Sequence, residues 1–159
     1  MDSEQIAGLT AEMKGQLWFI EKVDKRLKSR VEDGLDTPGQ IDSVAYQIHN
    51  LYCSVEDLLK FVARAFENNI GASGGWHRIL LLRMSQPVVD IRPALLSEES
   101  LLLMDKLRSF RHLVRHAYGM EIELSQLQPN ITNAVQLYPL IERDINNFLA
   151  QLSDSVSGE

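Results

Sequence analysis

The chain has 159 residues, 45% of them hydrophobic and 24% charged, a composition that suits one globular domain able to bury roughly 70% of the surface its unfolded form exposes. Its formal net charge of -6 excludes a protein that coats nucleic acid non-specifically, because affinity for a phosphate backbone comes from clustered Lys and Arg. Any nucleic-acid site therefore has to be local. Cys53 is the only cysteine, which excludes an intramolecular disulfide and a thiolate metal cluster; its place in an apolar helical run reads as that of a small core residue. Residues 1–10 hold no basic region followed by an apolar stretch, and no apolar run approaches the roughly 20 residues of a membrane span. The expectation is a cytoplasmic chain without membrane contact.

Between residues 10 and 31, Met13, Leu17, Ile20, Val23 or Asp24, Leu27 and Val31 recur at steps of three and four, the mark of a long amphipathic helix. The pattern extends backward through Ile6 and Leu9 and stops at Gly34, ahead of a Thr37-Pro38-Gly39 turn. A second helix carries Ile41, Val44, Ile48, Leu51, Val55, Leu58, Val62 and Phe66 on one side. Residues 68–75, rich in Asn and Gly, end it and are expected to be irregular. Residues 76–84 read as a short helix whose run Ile79-Leu80-Leu81-Leu82 should be mostly buried, and Pro87 and Pro93 bound a connector.

Ser97 followed by Glu98 and Glu99 marks the start of a fourth helix, since a hydroxyl cap and early acids suit its unpaired amides and positive end. The helix is expected to run to about Tyr118, with Leu103, Leu107, Phe110, Val114 and Ala117 as its core stripe and Gly119 as its stop. A last helix covers about residues 130–152, with Pro139 starting its main part or kinking it. The small, acidic tail 153–159 is expected to fray. No segment shows the period-two alternation of a strand. The fold class is therefore all-α, an up-and-down bundle of about five helices forming one domain over residues 1–152. The first two helices, roughly 30 Å or more each, offer a flank for dimerisation.

The chemistry concentrates on the fourth helix. Lys106, Arg108, Arg111, His112, Arg115, His116 and Tyr118 form a local basic patch in an acidic chain. Arg108, His112 and Arg115 or His116 fall at helical steps and form a stripe beside the core stripe. His112 and His116 are one turn apart, the spacing of a two-His metal face, but a third ligand is missing and no carboxylate lies between them as in the metalloprotease helix. No metal and no cofactor is expected. His49 and His77 read as surface or hydrogen-bonded structural residues. Taken alone, the patch also reads as a solvated helix face with Tyr118 as a capping aromatic.

The segment Arg111-His112-Leu113-Val114-Arg115-His116-Ala117-Tyr118 resembles the R-x4-H-x-Y pattern of HepT-type proteins of the HEPN family. A long polar-faced second helix, a Trp after a Gly-rich loop and a Pro near the start of the last helix agree with that resemblance. It implies metal-independent RNA cleavage, with Arg111 and His116 as the central pair and a 2′,3′-cyclic phosphate product. His116 suits proton transfer and Arg111 suits holding a phosphate by two hydrogen bonds. His112 stands where many members carry a small polar residue, which leaves open whether it is a second acid–base group or a polar support; Arg108 and Arg115 would support RNA binding. Five residues on a regular helix give about 140° of rotation, so Arg111 and His116 diverge unless the helix deforms or two chains combine their motifs. The resemblance implies the latter, a homodimer with a composite basic cleft where the fourth helices meet. It further implies a toxin of a toxin–antitoxin pair, acting on transfer or messenger RNA, whose antitoxin is a minimal nucleotidyltransferase that AMPylates Tyr118. A catalytically silent HEPN-like module that binds nucleotide, RNA or protein is the alternative.

Overall fold

A computed structural model describes residues 1–67 and 74–157. Five helices follow one another, α1 (Ser3–Asp33), α2 (Pro38–Glu67), α3 (Trp76–Met84), α4 (Glu98–Arg115) and α5 (Leu124–Ser157). Among the described residues there is no strand, only a single bridge between Val88 and Arg92. The all-α bundle read from the periodicity is the observed fold. Most of the segment 68–75 lies outside the described residues, as do residues 158–159 of the tail.

The helix ends are written in local side-chain chemistry. Asp2 caps α1 by accepting from the Gln5 amide at 2.8 Å while Gln5 Oε1 accepts from the Asp2 amide at 3.1 Å, a reciprocal box that satisfies two amides at once. Gly34 closes α1 at φ 109°, a left-handed conformation that a side chain would strain. Thr37 then caps α2, its Oγ1 accepting from the Gln40 amide at 3.2 Å, with Pro38 as the first helical residue. This tight link makes α1 and α2 an antiparallel pair, each about 45 Å long at 1.5 Å per residue.

α2 is the central element and packs on all four other helices. Its side chains Val44, Ile48, Leu51, Tyr52, Val55, Leu58, Leu59 and Val62 are buried. They meet Met13, Ile20 and Leu27 of α1, Leu103, Met104, Leu107 and Phe110 of α4, and Ile141, Ile145 and Phe148 of α5 in one continuous core. Each such side chain contributes about 1.5–3 kcal/mol by leaving water. The connector before α4 is pinned by the buried Arg92, which pairs with Glu67 and donates to the carbonyls of Gln86 (2.9 Å) and Arg83 (3.0 Å). Ser97 then caps α4, and its amide and hydroxyl both donate to Asp144 of α5 at 2.9 Å. That tie fixes where α4 starts and hence where its far end emerges.

Three expectations need correction. Of the run 79–82, Leu80 and Leu81 are buried but Ile79 and Leu82 are exposed, because a single-turn-pair helix such as α3 has only one face against α2 and α4. α5 begins at Leu124 rather than near residue 130 and continues through Ser157, with Pro129 and Pro139 both inside it. Gln126 Oε1 accepts from the Glu123 amide at 3.2 Å and so starts that helix early. α4 stops at Arg115 instead of reaching Tyr118. Val114 and Ala117, the last members of its core stripe, are only half-buried, so packing does not hold a further turn.

Candidate functional site

The free end of α4 carries the motif residues. His116 is the C-cap, at φ -108° and ψ 8°, and its amide turns back to the Leu113 carbonyl at 3.3 Å. The link that follows is mostly exposed, with Ile122 packed back against the core. Tyr118 is 90% exposed, and Met120 and Leu124 are exposed after it. The last turn of α4 therefore splits into two faces with different surroundings.

One face is made by Arg111 and Arg115 at helical spacing; Arg111 is partly buried and Arg115 is exposed. The Arg111 guanidinium lies near the Cys53 thiol of α2. Burial pushes that thiol up from its ordinary pKa, and the nearby guanidinium pulls the other way. His49 lies one turn before Cys53, with its Nε2 3.7 Å from Sγ. Its pKa is lowered first by burial and then by the charges of Arg111 and Arg115, with Glu56 opposing. Arg111 Nε and His49 Nδ1 are enclosed without a hydrogen-bond partner among the described residues. Arg108, a turn earlier, is tied to Asp105 at 3.0 Å.

Behind this face sits a buried carboxylate. Glu56 Oε2 accepts from the Tyr52 hydroxyl at 2.9 Å and lies 2.6 Å from His77 Nδ1, and Lys60 Nζ approaches Oε1 at 3.7 Å. Lys60 also lies over the Trp76 ring, which stacks on His77 with centroids 3.7 Å apart. Desolvation first, and then Glu56, drive the Tyr52 hydroxyl far above its usual pKa, so it stays a donor. The sequence reading of His77 as a hydrogen-bonded structural residue matches this environment. The place of His49, Cys53 and Glu56 beside Arg111 was not foreseen. Their signal is the polar series 49, 53, 56, 60 at steps of four, three and four, running along α2 beside its apolar stripe.

The other face holds His112 and His116, whose ring centroids are 4.4 Å apart, and Tyr118 edge-on to His116 at 6.4 Å. Both imidazoles are exposed. Arg111 and His116 thus lie in different surroundings within one chain, Arg111 partly buried near His49 and Cys53 of α2 and His116 in solvent beside His112. The end of the helix between them does not bring them together. Among the described residues no group of three or more His, Cys, Asp or Glu is placed to hold a metal ion, and no helix is long and apolar enough to cross a membrane.

A comparison with protein families bears directly on this arrangement. A family model described as HepT-like protein matches residues 43–152, more than two thirds of the chain and all of the motif. The chain belongs to the HepT-like family. The match begins within α2 and ends near the end of α5, so it takes in Arg111 and its α2 neighbours His49 and Cys53. No curated protein and no solved structure matches the chain.

Proposed function

We infer that this HepT-like chain is a metal-independent endoribonuclease, the toxin of a toxin–antitoxin pair, and that it works as a homodimer. The observation that carries the reading is the exposed end of α4, where a guanidinium face and an imidazole face lie side by side and diverge. A single chain offers Arg111 and His116 to different surroundings. Two chains meeting at their α4 ends would set the Arg111 of one beside the His116 of the other in one cleft.

In that cleft an imidazole, His116, takes the proton of a ribose 2′-hydroxyl, and the freed oxygen attacks the adjacent phosphorus. Arg111 holds the phosphate oxygens by paired hydrogen bonds as charge builds on them. The bond to the 5′-oxygen breaks, that oxygen takes up a proton, and a 2′,3′-cyclic phosphate remains. Arg115 and Arg108 add positive charge for the RNA backbone, and His112 supports His116 or shares its proton. Tyr118, standing free beside His116, is open to a modifying enzyme. AMPylation by a nucleotidyltransferase antitoxin would place negative charge and bulk at the mouth of the cleft and silence it.

The test is incubation of the chain, shown by intact mass to be unmodified, with total RNA in excess chelator beside His116→Ala. Cleavage by the wild type alone, leaving 2′,3′-cyclic ends, supports the reading. Inactivity of a folded, unmodified wild-type dimer overturns it in favour of a silent RNA- or nucleotide-binding module.

A further inference from the structure

The imidazole face has a property that RNA cleavage does not require. We propose that His112 and His116 form a chelating pair for one late first-row divalent cation, Zn2+ foremost, and that filling the pair stops the ribonuclease by occupying the imidazole of His116. The second half of this proposal rests on the ribonuclease reading; the first half does not.

The two rings are one helical turn apart with centroids separated by 4.4 Å and planes inclined at 53°. Nitrogens bound to one tetrahedral zinc at about 2.0–2.1 Å lie roughly 3.3 Å from each other, a spacing that small side-chain rotations reach from this placement. Both rings are exposed. Their rings meet each other and Tyr118, and no hydrogen bond to another described residue has to break. Of the cations on the same chain, Arg108 is paired with Asp105 and Arg111 is partly buried with its Nε enclosed. The pair also sits at the carboxyl end of α4, where unpaired carbonyls favour positive charge.

Two imidazoles leave the other zinc positions to water. Such a site is regulatory in character, without the three protein ligands of a catalytic zinc. Imidazole suits zinc, copper and nickel, whereas the hard ions Mg2+ and Ca2+ prefer oxygen and would pass the site by.

The experiment titrates ZnCl2 into the full chain, stripped of metal beforehand and without RNA, by calorimetry. One zinc per chain is expected. His112→Ala and His116→Ala should each weaken binding by on the order of tenfold or more, since losing a ligand costs at least as much as the 10–100-fold lost with a supporting group. His49→Ala and His77→Ala, with circular dichroism to show folding, should bind as the wild type does. Wild-type affinity in both α4 variants, or no uptake by the wild type, overturns the site. In a second arm zinc is added to chain that cleaves RNA in chelator-treated buffer. Inhibition with a midpoint at the binding constant, reversed by chelator, is expected; undiminished cleavage with the site full overturns the regulatory half. If no RNA is cleaved even without zinc, the ribonuclease reading falls and takes that half with it, while the calorimetry still decides the site.

Discussion

Replacing Glu56 by Ala should destabilise the fold by about 2–4 kcal/mol, a figure that follows from what its carboxylate holds. Glu56 is buried and meets the Tyr52 hydroxyl at 2.9 Å and His77 Nδ1 at 2.6 Å. Hydrogen bonds to a charged group are worth about 1.5–3 kcal/mol each, and the buried Tyr52 hydroxyl left without an acceptor adds about 1–3 kcal/mol. Lys60, at 3.7 Å and partly solvated, adds at most about 1 kcal/mol. Against these stands the desolvation of the carboxylate itself, several kcal/mol, which the substitution removes. With a slope of about 2 kcal/mol per molar urea, the middle of the usual range, the unfolding midpoint should fall by roughly 1–2 M. The decisive form is a double-mutant cycle with Tyr52→Phe, which alone costs about 1.5–3 kcal/mol. In the Tyr52→Phe background the Glu56→Ala loss should shrink by about 1–2 kcal/mol. Equal losses in both backgrounds, or a loss of less than about 1 kcal/mol in the wild type, would refute the hub as an energetic unit.

Ser97→Ala removes the α4 cap and one of two bonds to Asp144, and should cost about 1–2 kcal/mol in urea unfolding with no change in slope. His49 gives a pH signature. Its folded pKa lies below the unfolded 6.5 because burial and then Arg111 and Arg115 oppose the proton, so the unfolded chain binds more protons just below that value. Wild-type stability should therefore decline as pH falls from about 6.5 toward the lower folded pKa, and His49→Gln should flatten that part of the profile. The Cys53 thiol, pushed up by burial, should react with iodoacetamide at pH 7.5 more slowly than a free thiol does, and at the free rate once unfolded.

Much of this fold was legible because burial is one-sided along each helix. The stripes of α1 and α2 follow three-four spacing, Gly34 and Ser97 are strong local punctuation, and α3 has the bounds read from its apolar run. What escaped depended on tertiary neighbours. Exposure of Ile79 and Leu82 is set by how few helices surround α3, which no local pattern contains. The early start of α5 rests on a Glu123–Gln126 cap that outweighs the proline after it. At the site, the motif was legible only through its resemblance to a known family, whereas the divergence of Arg111 from His116 follows from their five-residue spacing on a helix. The partners of Arg111 were not legible, because they come from α2, more than fifty residues earlier in the chain.

The composite cleft is tested most directly by mixing two inactive chains. Arg111→Ala and His116→Ala are each expected to leave RNA intact in chelator while folding and dimerising normally. Unfolded and refolded together in equal amounts, half of the dimers would be mixed, and each mixed dimer would carry one cleft with an Arg111 from one chain and a His116 from the other. About a quarter of wild-type cleavage should return on the two-fold symmetry of such a dimer. A mixture that forms mixed dimers and stays inactive, beside an active wild type, would contradict a site shared between two chains.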